Sequence, residues 1–94
     1  MARRYLVVEE QGITFFFKRE PDHPELLHIH ARHLTTIDDA LDTYFDAVPT
    51  WNLRRQRFEN RTATHGLYWV WLNEADRTVM IITCFGLGPG EASR

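Results

Sequence analysis

Apolar and polar residues alternate between two rhythms along this chain, and the change of rhythm predicts its elements. Tyr5 to Val8 and Ile13 to Phe17 are short apolar runs separated by Glu9-Glu10-Gln11-Gly12, a polar break that reads as the turn of a β-hairpin. Pro21 and Pro24 bracket a loop. Beyond it Leu27, Ile29 and Ala31 alternate with His28, His30 and Arg32, which suggests a half-buried strand, with a first helical turn as the alternative. Over residues 36–47 the period lengthens: Ile37, Ala40, Leu41, Tyr44 and Phe45 form one stripe of an α-helix. Thr35 or Thr36 can cap it, with Asp38 or Asp39 three residues on, and Pro49 marks its end.

A strand-like stretch from Arg54 to Thr62 follows Trp51. Leu67 to Leu72 and Thr78 to Phe85, joined by a polar Asn73–Asp76 turn, make the strongest hairpin in the chain. Tyr68, Val70 and Leu72 alternate with Leu67, Trp69 and Trp71, so both faces of that strand are apolar and it belongs inside a sheet. The predicted fold is α+β: an antiparallel sheet with one main amphipathic helix packed on one face. Residues 1–86 form one domain in this reading, and residues 87–94 a flexible C-terminal tail.

A length of 94 residues fits one domain and leaves no space for a separate cofactor domain. Hydrophobic residues at 44% and charged residues at 26% are those of a folding chain, not a disordered one. With one cysteine, Cys84, an internal disulfide framework and a cysteine-based zinc finger are excluded. Glu9-Glu10 interrupts the first apolar run, so no signal peptide or membrane span is expected and a cytoplasmic location is. The net charge of -2 conceals a segregation: residues 34–50 carry four acids and no base, whereas residues 51–65 carry four Arg against Glu59.

Two clusters offer chemistry. His28-Ile29-His30-Ala31-Arg32-His33 resembles a zinc-hydrolase His-x-His-x-Asp-His signature, but Arg32 stands where the carboxylate belongs and would repel a cation. No metal or cofactor is expected on this basis. Acid–base chemistry suits the residues better, because imidazole exchanges protons near neutral pH and a guanidinium holds phosphate. On a strand, His28, His30 and Arg32 would share one face and His33 the other. The second cluster is Arg54, Arg55, Arg57 and Arg61. With Phe58 turned inward, Arg55, Arg57 and Arg61 would form a basic stripe which, with Trp51 nearby, suits single-stranded RNA or an acidic protein partner. Thr62, Thr64, His65 and Tyr68 surround the turn into the next strand and add hydroxyl and proton-donor chemistry.

Arg32-His33-Leu34-Thr35-Thr36-Ile37-Asp38-Asp39-Ala40, a helix ending in Phe45-Asp46-Ala47, then Arg57, Arg61 and the strands Leu67–Leu72 and Val79–Thr83 together resemble the BrnT-like branch of the RelE superfamily of bacterial ribonuclease toxins. The resemblance spans roughly residues 30–85. It implies a RelE-like fold, metal-independent RNA cleavage and control by an antitoxin. Arg32 and His33 match the family's basic–histidine pair, Arg57 its basic residue before the central strand, and Thr83 its hydroxyl residue of the last strand. The catalytic candidates are therefore His30, Arg32, His33 and Arg57, and the binding candidates His28, Trp51, Arg55, Arg61, His65 and Thr83. The competing expectation is a non-enzymatic protein-binding module, such as an immunity protein, an antitoxin-like partner or a phage-encoded inhibitor, docking through the acidic helix. The oligomeric state is left open, a dimer among the options.

Overall fold

A computed structural model describes residues 4–87 of the chain. In chain order the elements are β1 (Tyr5–Glu10), β2 (Ile13–Lys18), α1 (His28–His33), α2 (Ile37–Asp46), β3 (Thr50–Asn52), β4 (Arg57–Arg61), β5 (His65–Asn73) and β6 (Thr78–Gly86). The strands form one six-stranded sheet in the order β1-β2-β6-β5-β4-β3. Both expected hairpins are present, as β1–β2 and β5–β6.

Three expectations need correction. The sheet is mixed and not antiparallel, because β2 lies parallel to β6. Phe15 and Phe17 of β2 stand beside Val79 and Ile81 of β6, and burying these four side chains in one layer drives a pairing between strands far apart in sequence. The stretch from His28 to His33 is a helix, not a strand, so α2 is one of two helices among the described residues. Ile29 is the only buried residue of α1, and period-two alternation over so few residues does not distinguish the two conformations. Finally, β4 begins only at Arg57: Trp51 belongs to the short β3, and Arg54, Arg55 and Gln56 make the β3–β4 turn.

The helix α2 forms where its stripe predicted. Asp39 N–H donates to Thr36 Oγ1 at 3.1 Å and Thr36 N–H donates to Asp39 Oδ2 at 2.9 Å, a reciprocal capping box. Thr35 does not cap. Its buried hydroxyl lies 3.0 Å from the Ile29 carbonyl and 2.9 Å from that of Cys84, tying α1 to β6. At the other end of α2, buried Asn60 of β4 donates to the carbonyls of Tyr44 and Ala47 and accepts from Trp69 Nε1 at 2.9 Å. One amide thus closes the helix terminus and satisfies an indole in the core.

Both helices cover the same sheet face, where Ile13, Phe15, Phe17, Leu67, Trp69, Val79, Ile81 and Cys84 meet Ile29 and Ala40. Irregular pairing in β6 then decides what the other face displays. Tyr68 pairs with Thr83 but Trp69 pairs with Ile81, so Ile82 is an extra residue, a β-bulge. The bulge reverses the alternation: Cys84 turns into the core, while Thr83 and Phe85 turn to the other face, which no described helix covers. Among the described residues no helix is long and apolar enough to cross a membrane. Leu87 N–H donates to the Thr64 carbonyl at 2.8 Å, and the rest of the expected tail, residues 88–94, lies outside the described residues.

Candidate functional site

The uncovered sheet face carries a connected row of rings and cations. Arg57 stands on it because Phe58 packs inward against the core, and its guanidinium carbon sits 3.6 Å from the centre of the Tyr68 ring. Tyr68 meets Phe85 edge to face at 5.0 Å, and Phe85 meets His33 at 6.1 Å. The last residue of α1 thereby joins the end of β6. Gly66 makes this packing possible: a Cβ there would lie 2.5 Å from Phe85 Cζ, so the ring rests on the bare glycine backbone of the neighbouring strand. Arg61 pairs with Gly66 at the end of the same ladder and is exposed.

Thr83 stands across the ladder from Tyr68. Its Oγ1 is buried and has no hydrogen-bond partner among the described residues. A shielded hydroxyl without a partner is costly, so Thr83 Oγ1 is a polar atom of this face with unused hydrogen-bonding capacity.

The charges are held at both ends. Glu59 accepts from Arg57 Nε at 2.8 Å and from Asn52 Nδ2 at 2.9 Å. Burial opposes ionisation of Glu59, and the Arg57 and Asn52 hydrogen bonds outweigh it, leaving its carboxyl below the usual range. At the α1 end Glu20 receives His28 Nδ1 at 3.0 Å and Arg32 Nε at 3.4 Å, and the His28 hydrogen bond leads the effects that hold the Glu20 carboxyl low. His28 and Arg32 are one helical turn apart, so the i, i+4 spacing of a helix, not the face of a strand, brings both to one carboxylate. His28 also lies against His33, with ring centres 6.3 Å apart.

The other sequence candidates lie elsewhere. His30 is exposed on the helix side, on a groove with Leu27, Thr35 and Ile37, away from the face that carries Arg57. Trp51 also lies on the helix side: it packs on Phe58 at 4.8 Å, which in turn stacks on Trp69 at 4.5 Å, so the aromatic beside the arginines is Tyr68 instead. Arg55 is in the β3–β4 turn and does not extend the stripe of Arg57 and Arg61. His65 faces α2, with Nδ1 2.9 Å from Thr64 Oγ1 and Nε2 3.7 Å from Asp39 Oδ2. The Cys84 thiol is pushed up to about 11 by burial and is no nucleophile.

Of the sequence candidates, His28, Arg32, His33, Arg57, Arg61 and Thr83 thus form one neighbourhood with Tyr68, and His30, Trp51, Arg55 and His65 fall outside it. Phe85 and Glu20 were missed. Gly66 inside an aromatic strand was the available signal for Phe85, since a strand glycine marks a close approach. Compared with protein-family models, with curated proteins and with solved structures, the chain finds no match.

Proposed function

We propose that this chain is a RelE-like ribonuclease that binds single-stranded RNA on the uncovered sheet face and cleaves it without a metal ion. The observation that carries the reading is the row His33–Phe85–Tyr68–Arg57 with the unpartnered Thr83 hydroxyl beside it. Rings on a sheet stack bases, a guanidinium holds phosphate, and an imidazole and a phenol supply a base and an acid. The antiparallel trio β4–β5–β6 carries Arg57 and Arg61 on its first strand and Thr83 on its last, an arrangement the resemblance would require.

In this mechanism His33 removes the proton of a ribose 2′-hydroxyl. The 2′-oxygen attacks the adjacent phosphorus, the bond from phosphorus to the 5′-oxygen breaks, and Tyr68 O–H donates its proton to that leaving oxygen. The products are a 2′,3′-cyclic phosphate and a 5′-hydroxyl. Arg57, with only Nε bonded among the described residues, and Arg61 stabilise the charge that builds on the phosphate oxygens, and the Thr83 hydroxyl donates to one of them. His28 and Arg32, bound to Glu20, orient α1 and therefore His33.

Incubation of the purified protein with RNA tests this. Cleavage leaving cyclic phosphate ends is expected, falling about a hundredfold in His33→Ala and in Tyr68→Phe. Absent cleavage, or cleavage unchanged in both variants, ends the proposal.

A specific feature favours a second role for another surface, as the docking face of an antitoxin or other protein partner. Asp39, Asp42 and Asp46 of α2 border a groove of about 290 Å³ with Thr62, Thr64 and His65, on the side of the molecule away from the arginines. Co-purification of a partner that is lost in Asp42→Lys, without RNase activity in the wild type, would replace the enzymatic reading by a binding one.

A further inference from the structure

The first hairpin builds a second cationic feature outside the ring row. Arg4, Tyr5, Lys18 and Arg19 line a cavity of about 550 Å³, closed on its far side by Pro21 and Pro24. Its floor is fixed by backbone: Arg19 N–H donates to the Arg4 carbonyl at 2.8 Å, Glu20 N–H donates to that of Leu26 at 2.9 Å, and Arg19 bridges to Leu27. Glu20 is the one acid in the lining, and it is already bound to His28 and Arg32. Arg4, Lys18 and Arg19 have no ion pair with any described residue. Arg19 uses one terminal nitrogen on the Pro24 carbonyl at 3.0 Å, and its shielded Nε has no acceptor among the described residues. Three cations without counter-ions among the described residues, around one concavity, suit an anion.

The register puts the Tyr5 and Lys18 side of this cavity on the open face. Phe17 pairs with Ile81, so Lys18, the next residue, falls beside the bulged Ile82, and Tyr5 pairs with Lys18. Two inter-strand steps, about 10 Å, separate the Tyr5 position from the bulged Ile82 along one row of the sheet, and Thr83 is the next residue of β6. Tyr5 also meets Phe16 edge to face at 6.0 Å, which extends the aromatic surface of this face toward Met80, the partner of Phe16 in β6.

We infer that the Arg4–Lys18–Arg19 cavity is a phosphate subsite, which under the ribonuclease reading it rests on holds a backbone phosphate of the RNA strand beyond the scissile position. The planar fork of Arg19 suits two phosphate oxygens, and Lys18 adds a point charge at the mouth.

Two titrations test it. Inorganic phosphate is followed through the Arg19 Nε–H and Tyr5 ring resonances. A short 2′-O-methyl oligoribonucleotide, which has no 2′-hydroxyl to react, is followed by fluorescence anisotropy with the wild type, Lys18→Gln and Arg19→Gln. The subsite predicts saturable shifts with phosphate, about tenfold weaker oligonucleotide binding in each variant, and a plot of log affinity against log salt shallower by about 0.7. Lys18 is exposed, so Lys18→Gln keeps the test valid if Arg19→Gln disturbs the loop. Unmoved resonances overturn the subsite, and so does wild-type oligonucleotide affinity in both variants. Saturation by phosphate with no oligonucleotide binding by the wild type supports the subsite, as one for free phosphate esters, and removes the RNA reading alone.

Discussion

The two faces of the sheet are built from similar residues put to opposite use. Beneath the helices, Phe15, Phe17, Leu67, Val79 and Ile81 are no more than 2% exposed and belong to one buried apolar cluster with Ile29 and Ala40 of the helices. On the other face Phe16, Tyr68, Met80 and Phe85 remain half-buried, and Arg57, Arg61 and Lys18 stand among or beside them. A ring in the first setting has all its partners inside the protein. One in the second keeps an edge or a face free, and the nearby cations have few internal partners. Aromatic content alone therefore says little about function here, and which face a ring occupies says a good deal.

The comparison breaks most visibly on the covered face. Phe15 is fully buried between Tyr44 and Phe45, at 4.9 and 5.9 Å, so Phe15→Ala is expected to cost about 3–5 kcal/mol in denaturant unfolding. A loss below about 1 kcal/mol would mean that the helices do not seal that face. Asn60→Leu comes next, at about 3 kcal/mol by the same measurement, because it strips the Trp69 indole and the Tyr44 and Ala47 carbonyls of their partner.

On the open face the signs change. Thr83→Val keeps the shape and removes a hydroxyl that has no partner, so stability should hold or rise by about 1 kcal/mol while RNA cleavage falls about tenfold. Equal losses of stability and activity would return Thr83 to an ordinary structural role. The smallest effect concerns pH. Glu20, held low chiefly by its hydrogen bond from His28, has a folded value below its ordinary 4.5, so its contribution is complete above that value and is lost as pH falls through the lowered one. Lower amide protection factors in α1, corrected for intrinsic exchange, at about pH 3.5 than at pH 6, with no such drop in Glu20→Gln, would show this.

What the sequence displayed depended on how local the cause was. The stripe and capping box of α2 and the two hairpins are set within a few residues and were readable. The β2–β6 pairing is not local, and it turned an apparently antiparallel sheet into a mixed one. Leu34 ends α1 at φ 56°, where glycine is usual, so nothing in the composition of that stretch announced a helix stop. For the site, strand parity predicted the outward turn of Arg57 and Arg61, but Thr83 and Phe85 depend on a bulge at Ile82 that no turn residue signals. In the sequence His28 and Arg32 read as neighbours on a strand face, whereas their convergence on Glu20 requires helical spacing.

The central claim is that ligands meet the open face at the ring row. Titrating the protein with a short 2′-O-methyl oligoribonucleotide and mapping side-chain NMR shifts tests it most directly. The account predicts the largest shifts at Tyr68, Thr83, Phe85 and the Arg57 guanidinium, with Leu67 and Val79 on the covered face nearly unchanged. Shifts concentrated on the aspartates of α2, or none at all, would contradict it.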